Sequence, residues 1–238
     1  RDLFALVQRH KVSHIAFMAP TQIIKCLAEF DDSYDLSSLT AICYGGAPIH
    51  LEHLKAAIDT FGPVFMQLYG QGEAPITISG MSALDHQHFH DTGDARLGSA
   101  GIIRTDVDVA IFDAQREQLP VGTLGEIAVR GDVVMAGYWQ NPEATEAAMH
   151  GDWLLTGDIG MIDESGYLFL MDRSKDVIIT GGNNVYPREV EEVIVQHPSV
   201  ASVVVVGVPD DYWGEAVHAV VQLNVGAQCE ATEIIAFC

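Results

Sequence analysis

The chain has 238 residues, of which 48% are hydrophobic and 19% charged. That supplies enough apolar material for a core and rules out disorder over most of its length. Twelve Lys and Arg against 33 Asp and Glu leave a net charge of −21, which argues against nucleic acid or an anionic membrane as partner.

The first seventy residues alternate strand and helix. His14–Ala19 reads as a short apolar strand, and Pro20 to about Phe30 as a helix with Ile23, Ile24 and Leu27 at helical spacing. Thr40–Tyr44 is a second strand, ended by Gly45-Gly46. Leu51 to about Phe61 is a second helix, with Leu51, Leu54, Ala57 and Ile58 on one face. Val64–Tyr69 is a third strand, ended by Gly70. A βαβαβ order predicts parallel strands joined by right-handed crossovers. Ligands of such sheets bind beyond the carboxyl ends of the strands. Here those ends are Tyr44-Gly45-Gly46-Ala47-Pro48 and Tyr69-Gly70-Gln71-Gly72-Glu73.

From about residue 98 the texture changes to short strands with turn signals. Val107–Phe112 and Glu126–Arg130 alternate, punctuated by Gly122, Gly125, Gly131 and Gly137. This predicts antiparallel pairing, as in a small barrel. Asn141–Met149 is a short helix with Pro142 suited to its first turn. Leu154–Thr156 and Tyr167–Met171 are further strands. Asp172–Asp176, a charged pentad between apolar strands, is the best boundary candidate. Beyond it Val177–Thr180 is a strand, Gly181-Gly182-Asn183-Asn184 a loop, and Pro187 opens a helix with Val190, Val193 and Ile194 as its apolar face. Val203–Val208 and Ala216–Leu223 are strands of a small second domain.

Four cysteines, Cys26, Cys43, Cys229 and Cys238, lie at irregular spacings without a C-x-x-C pair. That is cysteine used as a small hydrophobe in a reducing compartment, and a cytoplasmic location is expected. No apolar run approaches the roughly 18 residues of a membrane span. The chain starts Arg1-Asp2 and stops at Cys238, both inside apolar patterns. It is expected to be a piece of a longer protein. Residues 1–80 hold five basic and eight acidic side chains, against four and fifteen over 81–170 and three and ten over 171–238. The first third is the least hostile to a phosphate.

Each chemically interesting cluster also has an ordinary reading. Gly45-Gly46 lets a flat ring approach the backbone, or is a tight turn. Glu73 can hold Mg²⁺ near phosphates, or is a solvated acid. Thr156-Gly157-Asp158 places a carboxylate after a strand, where it can accept both hydroxyls of a ribose, or is a common turn. Arg173 and Lys175 assist a ligand or form linker ion pairs. His86, His88 and His90 alternate, but no further metal-ligand cluster follows them. Neither a Walker-type loop nor a G-x-S-x-G elbow occurs.

The order of these pieces is more specific than any one of them. Tyr44-Gly45-Gly46-Ala47-Pro48 comes first, then Tyr69-Gly70-Gln71-Gly72-Glu73. Gly125-Glu126-Ile127-Ala128-Val129-Arg130-Gly131 follows, running on to Gly137-Tyr138-Trp139. Then come Trp153-Leu154-Leu155-Thr156-Gly157-Asp158 and Asp172-Arg173-Ser174-Lys175-Asp176, leading to Gly181-Gly182 and Tyr186-Pro187-Arg188-Glu189-Val190-Glu191. In this order the sequence resembles the adenylate-forming superfamily of acyl-CoA synthetases, peptide-synthetase adenylation domains and luciferases. The Gly181–Pro187 loop is most similar to that of CoA ligases.

The resemblance implies an α/β fold. Residues 1–171 would be the C-terminal part of a large AMP-binding domain, a parallel βαβ sheet plus a small antiparallel barrel. Residues 172–238 would begin a small mobile α+β domain, with the hinge near 172–176. It implies an acid–thiol ligase that uses ATP to make an acyl-adenylate and then passes the acyl group, expected to be fatty, to CoA. Gly45, Gly46 and Ala47 would line the adenine and acyl region, and Tyr69 would lie near the adenine. Gly70, Gln71 and Gly72 count with the nucleotide-binding residues. Glu73 would coordinate Mg²⁺, and Asp158 would bind the ribose hydroxyls with Arg173 nearby. Lys175 falls at the hinge, and Gly181 and Gly182 would approach the pantetheine of CoA.

Gly72 departs from the family, which usually has Thr there with its hydroxyl on the AMP phosphate. The upstream phosphate loop with its Lys and the C-terminal adenylation Lys are not in the chain, so the chain alone is expected to be inactive. The alternatives are an adenylation domain that loads a carrier protein and a non-catalytic AMP-binding remnant. The identity of the acid and the oligomeric state stay open. Ile76, Ile78 and Met81 read either as an apolar wall for the acid or as ordinary strand core.

Overall fold

The computed structural model describes residues 2–76 and 78–238. Contacts divide it into two compact units, one of residues 1–156 and 161–170, the other of residues 157–160 and 171–238.

The first unit opens with helix α1 (Asp2–His10), strand β1 (His14–Met18), α2 (Pro20–Glu29), β2 (Ala41–Gly45), α3 (Leu51–Phe61) and β3 (Phe65–Tyr69). The helices follow the apolar spacing read from the sequence. Ile23 of α2 and Leu54, Ala57 and Ile58 of α3 are buried. Pro20 stands at the first turn of α2, where its missing N–H costs nothing, and Gln22 reaches back to accept from the Ala19 amide at 2.8 Å. β1, β2 and β3 pair in parallel, as the βαβαβ order requires. β4 (Ser79–Met81) then adds antiparallel to β3, and β5 (Ile102–Ile103) adds to β4. Five strands thus lie in chain order.

Between β4 and β5 lies α4 (Ala83–Thr92), a helix the apolar pattern does not reveal. Ser82 caps it, accepting from the Asp85 amide at 3.1 Å, and Gly93 ends it in the left-handed region. A 3₁₀ turn, Ala95–Gly98, follows.

The curled antiparallel half-barrel contains β6 (Asp108–Phe112), β7 (Gly125–Arg130), β8 (Met149–His150), β9 (Trp153–Ile162) and β10 (Leu168–Arg173), ordered β10-β9-β7-β6 with β8 on β9. Helix α5 (Pro142–Ala148) precedes β8, and Asn141 caps it. Ile127, Val129, Leu154 and Leu168 form its core together with Tyr69 and Ile78.

The second unit has β11 (Ile178–Thr180), β12 (Asn183–Val185), α6 (Pro187–Ile194), β13 (Val200–Asp210), β14 (Gly214–Leu223) and α7 (Ala231–Phe237). Its sheet order is β12-β11-β14-β13. Two expectations change here. Asn183 and Asn184 belong to β12 rather than to a loop, because they pair back onto β11. Val193 of α6 is exposed, while Ile194 and the partly buried Val190 carry the contact with the core. The long ribbon β13–β14 buries Val203 and Val205 and leaves Val204, Val206 and Val208 exposed on its other face.

Candidate functional site

In the first unit two loops leave adjacent parallel strands at their carboxyl ends. Gly45 pairs with Leu68 in register, so Gly45-Gly46-Ala47 and Tyr69–Glu73 emerge side by side. Glycine is required at both. A β-carbon on Gly45 would lie 2.2 Å from the Leu68 carbonyl oxygen, and Gly46 has φ +78. A β-carbon on Gly70 would lie 2.2 Å from the Ile76 nitrogen and 2.6 Å from the Ala74 carbonyl oxygen. The loop folds back over Gly70, closed by the Gln71 amide on the Ala74 carbonyl at 3.0 Å. Ile76 pays for that fold-back with φ +49, an unusual value for a β-branched residue.

Phe17, half exposed on β1, lies against the glycine pair, its ring 3.5–3.6 Å from where β-carbons would stand. Phe17 carries no sequence signal, since a single exposed aromatic in a short strand has no spacing that marks it. Tyr69 is buried in the half-barrel core with Ala74, Ile78 and Ala100, and not laid open at the loop. Gln71 donates to the Thr156 carbonyl at 2.8 Å. Gly72 is exposed with open space at its β-carbon position. Ile78 and Met81 are core, leaving only Ile76 of the apolar wall exposed, at 50%.

Glu73 is held from two directions. Its carbonyl accepts from the Met135 amide at 2.7 Å, and its carboxylate Oε1 accepts from the Tyr138 hydroxyl at 2.7 Å. The same hydrogen bond raises the Tyr138 phenol above its ordinary value. A single carboxylate with one oxygen engaged suits Mg²⁺ that takes most of its ligands from phosphate and water. Among the described residues no group of three His, Cys, Asp or Glu side chains gathers as a metal site. Of the three alternating histidines, His86 has a structural role. His86 is fully buried, bonded through Nε2 to the Tyr44 hydroxyl at 2.9 Å and through Nδ1 to the Ser82 carbonyl at 2.8 Å. Burial lowers its pKa to about 4 and keeps it neutral.

In the second unit Asp158 is buried and its Oδ1 pairs with the Arg173 ε-nitrogen at 2.8 Å. The turn expected after Thr156 is instead a kink inside β9. Gly157 takes φ +70 while the strand continues to Ile162. The Ser174 amide bonds the Gly157 carbonyl at 2.8 Å, which fastens the kink to the residue after Arg173. Lys175 is exposed in the turn that follows β10. Asp172 accepts from its neighbour Arg173 at 2.8 Å and from the Arg188 amide at 3.3 Å, which ties that turn to the start of α6.

Gly181 and Gly182 join β11 to β12 with φ +56 and +82. Gly181 donates to the Trp213 carbonyl at 2.8 Å, and a β-carbon on it would lie 2.9 Å from the Trp213 ring. Asp210 accepts from the Tyr212 and Trp213 amides and shapes the tip that presents this ring.

A family model described as "AMP-binding enzyme" matches residues 1–139, and one described as "AMP-binding enzyme C-terminal domain" matches residues 189–238. The medium/long-chain-fatty-acid–CoA ligase FadD8 of Mycobacterium tuberculosis is 40% identical over 228 residues, covering 95% of this chain and 38% of that protein. Among solved structures, amide bond synthetase McbA from Marinactinospora thermotolerans is 38% identical with a TM-score of 0.90, covering 99% of this chain and 47% of that one. The o-succinylbenzoate CoA synthetase MenE from Bacillus subtilis, in complex with the acyl-adenylate intermediate OSB-AMP, is 32% identical with a TM-score of 0.83, covering 100% and 46%. The chain spans about two fifths of the length of the curated relatives it matches.

Proposed function

The chain belongs to the AMP-binding enzyme family, and from that premise we propose that it is part of an acid–thiol ligase. A carboxylate attacks the α-phosphate of ATP, forming a C–O–P anhydride and releasing pyrophosphate. The CoA thiolate then attacks the acyl carbon, the acyl–oxygen bond breaks, and AMP leaves. A fatty acid is the first acid to test, since FadD8 is named for medium- and long-chain fatty acids.

The observation that carries this reading is the pair of loops leaving adjacent parallel strands, with Gly45 in register with Leu68. Exposed backbone at Gly46 and Ala47, beside the Phe17 ring and with Gly45 buried behind it, suits a flat adenine and the acyl carbon next to it. Gly70, Gln71 and Gly72 would follow the nucleotide, with Gly72 offering its amide and no hydroxyl, while Tyr69 supports the loop from the core below. Asp158, its carboxylate oriented by Arg173, would accept the ribose hydroxyls. Preorganised donors and acceptors of this kind stabilise charge as it develops. Mg²⁺ held by Glu73 would supply neutralisation of the phosphates. Gly181 and Gly182 would admit the narrow pantetheine arm. We also place the boundary between large and small domains at 172–176, with Lys175 as the hinge.

The test is ATP–pyrophosphate exchange by the intact protein over a panel of acids, repeated with Asp158→Ala. Losing charged hydrogen bonds to the ribose is worth about 1.5–3 kcal/mol, so the KM for ATP should rise roughly ten- to hundredfold. Unchanged ATP kinetics would remove Asp158 from the site. Product analysis with CoA decides the acceptor, and acyl transfer only to a carrier protein would overturn the thiol assigned here.

A further inference from the structure

We propose that Tyr138 is a positioning residue for Glu73, fixing the rotamer of the carboxylate that holds Mg²⁺ beside the phosphates. The inference rests on the ligase reading above and extends it to a residue 65 positions further along the chain.

The segment from Gly131 to Trp139 reaches the Glu73 loop at two points. One is backbone to backbone, the Met135 amide on the Glu73 carbonyl at 2.7 Å. The other is side chain to side chain, the Tyr138 hydroxyl on Glu73 Oε1 at 2.7 Å. The first fixes where the residue sits, and the second fixes where its carboxylate points.

Tyr138 is itself held. Its amide donates to Thr145 Oγ1 at 2.9 Å, and the same hydroxyl donates to the Asn141 carbonyl at 3.0 Å. Gly137, with φ +141, lets the chain pass where a β-carbon would stand 3.0 Å from the Thr145 side chain. Val133, Val134 and Met135 anchor the segment on the half-barrel core. The Tyr138–Glu73 bond is solvent-exposed, and exposed hydrogen bonds add little to stability. So much fixed geometry converging on a contact of small stabilising value points to orientation of the acid. Outer partners of metal ligands work in this way, and losing one commonly weakens metal binding ten- to hundredfold.

The experiment titrates Mn²⁺ into the intact protein with ATP present, read by electron paramagnetic resonance, for wild type, Tyr138→Phe, Glu73→Gln and the double variant. Tyr138→Phe should weaken Mn²⁺ binding about tenfold while leaving metal-free AMP affinity and the melting temperature unchanged. In the Glu73→Gln background the same change should have no further effect, because the pair acts as one unit. Thr145→Ala, which loosens Tyr138 without touching its ring, should give a smaller loss in the same direction. Wild-type Mn²⁺ affinity in Tyr138→Phe would overturn the proposal, as would an equal loss in both backgrounds. Mn²⁺ binding by Glu73→Gln equal to that of wild type would instead overturn the metal role given to Glu73, and with it the basis of the proposal.

Discussion

The turn after β3 and the turn after β11 each carry two glycines, Gly70 with Gly72 and Gly181 with Gly182. In the first, Gly70 is pressed by backbone: the Ile76 nitrogen and the Ala74 carbonyl oxygen occupy the space of a side chain. In the second, Gly181 takes a left-handed φ and is faced by the flat ring of Trp213. The outer glycine of each pair, Gly72 or Gly182, has open space around it. Two turns that look alike as letters thus divide their work differently. Gly70 permits a backbone to fold on itself, Gly181 and Gly182 permit a left-handed conformation, and Gly72 and Gly182 face open space.

Substitutions separate these duties. The largest effect should come from Gly70→Ala, because neither blocking atom belongs to a movable side chain. We expect a loss of at least about 3 kcal/mol and collapse of the Glu73 loop, seen in denaturant unfolding. An unshifted midpoint would break the contrast with the other turn.

An acid titration comes next. The strand beside the first turn is tied through Tyr44 to neutral His86, whose folded pKa lies near 4, below its unfolded value. The unfolded chain therefore binds this proton first as pH falls. Stability should be full above about pH 6.5 and decline toward pH 4, by about 3 kcal/mol in all. His86→Gln should flatten the decline over that interval, and a profile unaffected by that change would detach His86 from it.

Gly181→Ala should cost about 1–2 kcal/mol for the left-handed conformation. The displaced Trp213 should report by a fluorescence shift. Smallest in stability is Gly72→Thr, expected within about 0.5 kcal/mol because its side chain enters open space. Its hydroxyl should nonetheless tighten AMP binding, and an AMP affinity below that of wild type would show that the turn is less open than its glycine suggests.

Much of this architecture was legible in the letters. Ile23, Leu54 and Ile58 announced their helices, and Gly45 and Gly70 announced where the strands end. Helix α4 was hidden because His86, His88 and His90 mask its period. Its start was written in Ser82 and Asp85, a capping pair three residues apart. The kink at Gly157 read as a turn because a glycine with positive φ inside a continuing strand leaves the same mark as one at its end. Tyr138 stood in a recognisable stretch, yet its contact with Glu73 spans a distance no local pattern encodes. The placing of Trp213 over Gly181 is likewise a product of the β13–β14 hairpin and not of the residues near the turn.

That hairpin has a colloidal consequence. Val204, Val206 and Val208 line one exposed face of a ten-residue ribbon register, a flat apolar stripe of the kind that seeds association between chains. What opposes it is charge: the chain carries 21 more acids than bases, and like-charged molecules keep their distance. Acid removes that repulsion as carboxylates protonate near pH 4, while leaving the valines as they were. The isolated chain should therefore stay dispersed at neutral pH in low salt, and salt or acid should bring the ribbons together.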